Sequence, residues 1–126
     1  ANVPQSQHDE LYRTTIKRLM PFTARSVIWR LASKEAAGLF APESVDFCYL
    51  DGDHSYQAVV EDITFWYPTL KKGGFLAGHD FIPDGTYHFG KFGVQSAVRE
   101  FARARGLRLF TTGEPQFASW FVIKTP

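Results

Sequence analysis

The sequence has little cysteine, little net charge and no long apolar run. Its single cysteine, Cys48, has no partner for a disulfide within the chain. The 14 Lys and Arg residues are scattered among 13 Asp and Glu residues, so no basic block indicates a nucleic-acid or anionic membrane surface. No segment reaches the roughly 18 apolar residues that cross a bilayer, and the first residues do not resemble a secretory signal. These absences predict a cytoplasmic protein that binds a small molecule, with no nucleic-acid or membrane partner.

The composition predicts a folded domain. The chain has 126 residues, of which 44% are hydrophobic and 16% aromatic, including 12 Phe. A domain usually holds about 100 to 150 residues, and an aromatic content of this size indicates a packed core rather than a disordered tail. We therefore expect one domain spanning residues 1–126.

Hydrophobic spacing predicts an alternation of strands and helices. Short apolar runs predict buried strands at 27–31, 45–50, 75–77, 107–111 and 120–124. Apolar residues spaced three and four apart predict helices at 11–20, 33–40, 56–70 and 94–102. The polar start, residues 1–7, is expected to be a loose lead-in, and the Gly- and Pro-rich stretch 82–93 a loop.

This order of elements predicts an α/β fold. Strand–helix–strand units form right-handed crossovers between parallel strands. The last two strands flank a short loop and are expected to pair antiparallel. The expected sheet is therefore mostly parallel, with an antiparallel C-terminal strand at one edge.

Polar clusters follow two successive predicted strands. Asp51, Asp53 and His54 come directly after strand 45–50, and His79 and Asp80 come after strand 75–77. In open α/β sheets, ligands bind beyond the carboxyl ends of the strands. Carboxylates and imidazoles there can bind a divalent cation, orient a ribose hydroxyl or accept a proton.

A plainer alternative exists for these clusters. Asp, Gly and His after a strand often serve only as turn and helix-capping residues, and Asp53 is placed to cap the helix that begins near Tyr56. Two clusters at adjacent strand ends nevertheless favour a site over two unrelated turns. A metal-dependent hydrolase on an unrelated α/β fold is a further alternative for the same Asp and His residues.

An ordered set of motifs resembles a known family. The set comprises residues 46–56 (DFCYLDGDHSY), Asp62, Trp66-Tyr67-Pro68, Lys72-Gly73-Gly74 and Gly78-His79-Asp80. Together these motifs resemble class I S-adenosylmethionine-dependent methyltransferases. In particular they resemble methyltransferase domain 24, a branch related to small-molecule O-methyltransferases, from about Leu11 to the C-terminus.

The resemblance implies a Rossmann-like three-layer α/β sandwich that binds S-adenosylmethionine and a divalent cation such as Mg²⁺. It implies that the substrate is a small molecule, methylated on oxygen. The implied cofactor-binding residues are Ala32, Ser33, Asp51, Gly52 and Asp53. The implied metal ligands are Asp51, His79 and Asp80, and the implied catalytic residues are Asp51, His54 and His79.

The sequence departs from the family at its start. The first strand, its Gly-rich turn and the acidic residue that ends the second strand are expected before Leu11, where only a short polar segment is present. We therefore expect the C-terminal part of such a domain, truncated at the N-terminus. Strand 27–31 would then pair with strand 45–50, join another chain or lose its partner. Exposed sheet edges favour self-association, so we expect a homo-oligomer. The alternative function is that of a non-catalytic remnant acting as an assembly or interaction module.

Overall fold

The structure, a computed structural model, describes residues 3–126 and divides into two compact units, the first ending at Leu31 and the second beginning at Ala32. The first unit contains helix α1 (Gln5–Leu19), followed by a short 3-10 helix, Met20–Phe22. The predicted loose lead-in is wrong from Gln5 onward, because Pro4 starts the helix and the Gln5 amide donates to Asp9. Ala1 and Asn2 lie outside the described residues.

The predicted strand at 27–31 is wrong. This segment forms no strand, and the side chains of Val27 and Leu31 are 73% and 48% exposed. Arg30 instead bonds to the Asp9 carboxylate and lies over the Tyr12 ring. A strand needs the backbone of a neighbouring strand, and within residues 3–126 no strand pairs with this segment.

The second unit alternates helices and strands. Its helices are α2 (Ser33–Ala37), α3 (Tyr56–Trp66) and α4 (Val94–Ala104), with a 3-10 turn, Tyr67–Thr69, after α3. Its strands are β1 (Val45–Leu50), β2 (Leu70–Gly78), β3 (Gly85–Tyr87), β4 (Gly90–Phe92), β5 (Phe110–Thr111) and β6 (Trp120–Ile123). The prediction of β1 is confirmed at both ends. The predicted loop 82–93 contains instead the hairpin β3–β4. The sequence pattern did not predict this hairpin because glycines are typical of loops.

The main sheet has the order β1-β2-β6-β5. β1 and β2 are parallel, with Cys48 opposite Leu76, and β6 is antiparallel to both β2 and β5. The antiparallel pairing of the last two strands is therefore confirmed, but the C-terminal strand β6 lies inside the sheet and β5 forms the edge. Because β1 and β2 run in the same direction, their carboxyl ends meet at one edge of the sheet.

One face of the sheet forms the core. Leu76, Val122 and Trp120 point to this face and are at most 1% exposed, and Ile63 of α3 and Val98 of α4 join them in one cluster. Cys48 belongs to the same cluster, and its burial raises the pKa of the thiol to about 12. The thiol therefore stays neutral and packs as a small apolar group.

None of the helices described in residues 3–126 combines the length and apolarity needed to span a membrane.

Candidate functional site

The ends of β1 and β2 hold the two polar clusters side by side. Leu50 and Gly78 are the last residues of the two strands and lie opposite each other. The backbone N–H of His79 donates to the Leu50 carbonyl at 3.1 Å, which extends the pairing one step past β2. Asp51 and His79 therefore leave neighbouring strands at the same level.

Asp51, His79 and Asp80 converge. The His79 Nδ1 atom lies 3.9 Å from Asp51 Oδ1 and 3.3 Å from Asp80 Oδ1. One ligand atom from each of the three residues lies within 4.8 Å of the others. The structure thus brings together the three residues that the sequence resemblance named as metal ligands.

A backbone turn sets the direction of Asp80. Its φ of +58° is in the left-handed region, which Asp tolerates better than most residues. The turn is held by a hydrogen bond from the Ile82 N–H to the Asp80 carbonyl (2.8 Å) and by another from the Phe81 N–H to the Ala118 carbonyl (3.0 Å). An unusual backbone conformation held in this way is often found at functional sites.

His54 adjoins the cluster and is held by the hairpin. Its Nδ1 atom lies 3.8 Å from Asp80 Oδ2, which is an electrostatic contact rather than a hydrogen bond. Its ring stacks on Phe92 of β4, with centroids 3.8 Å apart. The Gly93 N–H donates to the His54 carbonyl at 2.9 Å. These contacts fix His54 beside Asp80.

Asp53 stabilises the turn that leads into α3. Its carboxylate accepts a hydrogen bond from the Ser55 N–H at 2.8 Å, and this bond holds the pKa of Asp53 below its usual range. The helix cap is Ser55 itself, whose Oγ accepts from the Ala58 N–H at 3.4 Å. The capping role considered for Asp53 therefore belongs to Ser55.

Ala32 and Ser33 lie at the start of α2. The Ala32 N–H donates to the Glu35 carboxylate, and the Ser33 hydroxyl accepts a hydrogen bond from Trp66 Nε1 at 2.9 Å. Within the part of the chain that is described, neither residue lines the cleft at the strand ends. The structure thus does not bring these two proposed cofactor residues into that cleft.

A small cleft opens between the strand ends. Its volume is about 20 Å³, enough for one water molecule or ion. A ligand the size of a nucleoside needs several hundred Å³, so only a small group fits inside. The cleft is lined by Leu50, Asp51, Gly52, Asp53, His54, Val59, Asp62, His79, Asp80, Val94 and Trp120.

Three residues near this cleft were not predicted as site residues. Asp62 of α3 and Trp120 of β6 both line it. Glu114 lies in the loop between β5 and β6, and a hydrogen bond from Thr112, with a smaller effect of nearby His79, lowers its pKa. The sequence analysis included Asp62 among the family motifs. No pattern in the sequence indicated that Trp120 lines the cleft or that Glu114 lies within electrostatic range of His79.

The donor set fits a divalent cation. Mg²⁺ is usually bound through one or two carboxylates and keeps several waters, which suits Asp51 and Asp80 on an open edge. The imidazole of His79 adds a nitrogen ligand of the kind that transition metals favour. The chemistry of the residues present therefore supports a hard or intermediate divalent cation.

A family model described as a methyltransferase domain matches residues 3–81. The chain belongs to this methyltransferase domain family. The match covers the first unit from residue 3 and the second unit as far as Phe81, which includes the strand ends described above. It removes the alternative of a hydrolase on an unrelated α/β fold.

Solved structures show the same fold. An O-methyltransferase family protein from Burkholderia thailandensis superposes with a TM-score of 0.69 at 14% identity, over 93% of this chain and 41% of that chain. A protein from Corynebacterium glutamicum superposes with a TM-score of 0.67 at 18% identity, over 98% of this chain and 58% of that chain. The prediction of a Rossmann-like α/β methyltransferase fold is confirmed. The chain spans about half the length of these two proteins.

A sequence relative is also found. An uncharacterized protein of Acanthamoeba polyphaga mimivirus is 38% identical over 40 residues, which are 32% of this chain and 18% of that protein. The relative's description names no activity.

Proposed function

We propose that this chain is part of an S-adenosylmethionine-dependent methyltransferase that methylates an oxygen of a small molecule. The proposal depends on the convergence of Asp51, His79 and Asp80 at adjacent strand ends, in a chain of the methyltransferase domain family. We also propose that residues 1–126 form one partial domain, because the family match begins in the first unit and continues into the second as far as Phe81.

The methyl donor supplies an electrophilic methyl group on a positively charged sulfur. We assign the acidic strand end, Asp51 to Asp53, to donor binding, with Gly52 leaving room for close approach. A Cβ at Gly52 would make only an ordinary contact, 3.9 Å from the Asp62 carboxylate, so this backbone is not tightly packed. Ala32 and Ser33 are the proposed contacts for the adenine of the donor.

Asp51, His79 and Asp80 are the proposed ligands of a divalent cation, whose positive charge lowers the proton affinity of an acceptor hydroxyl. His54 and His79 are the candidate proton acceptors, and His79 could accept a proton only through the ring nitrogen that does not hold the cation. With the donor bound, attack of the acceptor oxygen on the methyl carbon would break the carbon–sulfur bond, leave its electron pair on sulfur and pass the hydroxyl proton to His54 or His79. The protein's contribution is alignment and proton removal.

Isothermal titration calorimetry with S-adenosylhomocysteine in the presence of Mg²⁺ tests the proposal. We expect saturable heat, and at least about tenfold weaker binding for Asp51→Asn, because a hydrogen bond to a charged group contributes about 1.5 to 3 kcal/mol. Asp46→Asn is the matched control, because Asp46 lies on the same strand, is exposed and pairs with Lys71 outside the cleft. Absence of binding heat at millimolar ligand would contradict donor binding by this chain.

A specific surface favours a second candidate function, self-assembly. The side chains of Phe47, Tyr49 and Phe75 on the outer face of β1 and β2 are 58%, 44% and 40% exposed. In the described residues, β1 pairs on one edge only, and unpaired edges recruit further strands. We propose that a second copy of the chain covers this outer face, next to the unpaired edge of β1. Light scattering should give the mass of a dimer or larger oligomer, and a monodisperse monomer would count against it.

A further inference from the structure

Trp120 brings a buried, unbonded hydrogen-bond donor to the cleft. The residue is 1% exposed, and its indole Nε1 has no hydrogen-bond partner among the described residues. Trp120 also lines the cleft together with Asp51, His79 and Asp80. Buried donors in native proteins nearly always have an acceptor, from the protein or from an ordered water. An acceptor for this N–H is therefore expected within the cleft.

The absence of a side chain at Gly78 leaves room for the Trp120 indole beside the cleft. Gly78 lies opposite Trp120 in the sheet, and a Cβ at Gly78 would stand 2.7 Å from Cζ2 and 2.8 Å from Cε2 of the indole. The indole therefore packs closely against the backbone of the last β2 residue, immediately before His79. Because Cε2 is bonded to Nε1, the polar edge of the ring lies at this end of the strand.

The other groups of the cleft match such a donor. Asp51, Asp62 and Asp80 provide carboxylates, which only accept hydrogen bonds when ionised. A water-sized oxygen can accept from the indole and donate to a carboxylate. The cleft volume of about 20 Å³ has space for one such oxygen.

We propose that Trp120 is a positioning residue that donates a hydrogen bond from Nε1 to a single oxygen ligand held in this cleft. The oxygen belongs either to an ordered water or to the hydration shell of the cation, and the chemistry of recognition is the same for both. The inference rests on the proposed function, since it places the oxygen beside the proposed cation ligands. Trp120 would then set where that oxygen sits relative to Asp51 and Asp80.

Nuclear magnetic resonance of the ¹⁵N-labelled chain tests the proposal through the indole N–H signals. Trp120→Phe assigns the Trp120 signal and removes the donor while keeping an aromatic ring. Trp66→Phe is the matched control, because the Trp66 N–H donates to Ser33 outside the cleft. We expect the Trp120 N–H to show a cross-peak to a long-lived water, and Mg²⁺ to shift the Trp120 signal. We also expect Trp120→Phe to weaken Mg²⁺ binding about fivefold, with no change for Trp66→Phe.

The outcomes separate this inference from the proposed function. If Mg²⁺ shifts the His79 and Asp80 amides but leaves the Trp120 N–H and the affinity of Trp120→Phe unchanged, the inference is wrong and the cation site stands. If Mg²⁺ does not bind while Trp120 contacts a long-lived water, the ligand is water and the cation site is wrong. If neither a water nor Mg²⁺ affects the Trp120 signal, both are wrong. Loss of folding in Trp120→Phe leaves the wild-type water cross-peak and the Mg²⁺ shift as the deciding measurements.

Discussion

The two faces of the main sheet are both apolar but differ in what covers them. On the inner face, Leu76 and Val122 have no exposed surface and pack with helices α3 and α4. On the outer face, Phe47 and Phe75 remain 58% and 40% exposed. Phe110 and Phe121 stack on this same face, with ring centroids 4.7 Å apart. Monomeric proteins rarely expose large continuous apolar patches, so the outer face is the surface that we propose a second copy covers.

The two faces also have different roles, because the inner face stabilises the fold and the outer face is the proposed binding surface. Inner-face residues fix the position of the strand ends and hence of Asp51 and His79, because β1 and β2 are held in register against the core. Outer-face residues keep much of their apolar surface in water and therefore contribute less to folding unless another surface covers them. Substitutions on the two faces should therefore lower the free energy of unfolding by different amounts.

The largest expected effect is at the inner face. Leu76→Ala should lower the free energy of unfolding by about 2 to 5 kcal/mol, because it leaves a cavity among fully buried side chains. Phe75→Ala, at the adjacent position on the outer face, should change it by less than about 1 kcal/mol. Urea denaturation of both variants checks this pair. Equal losses would show that the outer face is covered in solution.

The next effect is at the edge where the core meets the cleft. Gly78→Ala would place a Cβ 2.7 Å from the Leu50 carbonyl oxygen and against the Trp120 ring. We expect a loss of about 1 to 3 kcal/mol from overpacking. The control is Gly113→Ala, whose Cβ would meet no atom within 4 Å. Thermal melts that place both variants at the wild-type midpoint would contradict the close packing of Trp120 on Gly78.

The smallest effect is at the turn before α3. The hydrogen bond from Ser55 depresses the pKa of Asp53 in the folded chain. Its contribution to stability is therefore present above the unfolded pKa of about 3.9 and is lost as the pH falls through the lower folded pKa. Because Asp53 is exposed, we expect Asp53→Asn to cost under about 0.5 kcal/mol at pH 7. The difference should shrink as the pH falls below the unfolded pKa and through the lower folded pKa, and thermal melts at pH 7 and in acid measure it.

The sequence predicted the elements whose signals are local. Strand 45–50 is a compact apolar run with polar residues at its end, and its bounds are those of β1. The meeting of Asp51 with His79 and Asp80 followed from the rule that parallel strands end at one edge. The spacing of apolar residues predicted helix α4.

What the sequence did not predict depends on long-range neighbours. The run 27–31 has the composition of a strand, but strand formation depends on a partner that the run itself does not specify. No sequence pattern indicated that Trp120 lies at the cleft, because its contact with Gly78 joins positions 42 residues apart in the chain, as the pairing of β2 with β6 shows. Asp80's left-handed backbone is set by a hydrogen bond from its neighbour to Ala118, which no local pattern reveals.

Electron paramagnetic resonance of Mn²⁺ tests most directly whether the two strand ends form one cation site. Free Mn²⁺ gives a sharp signal that broadens on binding, so a titration yields both stoichiometry and affinity. We predict one ion per chain, and at least tenfold weaker binding for Asp80→Asn, which keeps a residue that tolerates the left-handed backbone. Asp46→Asn should bind as the wild type does. No binding by the wild type, or equal binding by the two variants, would contradict the account.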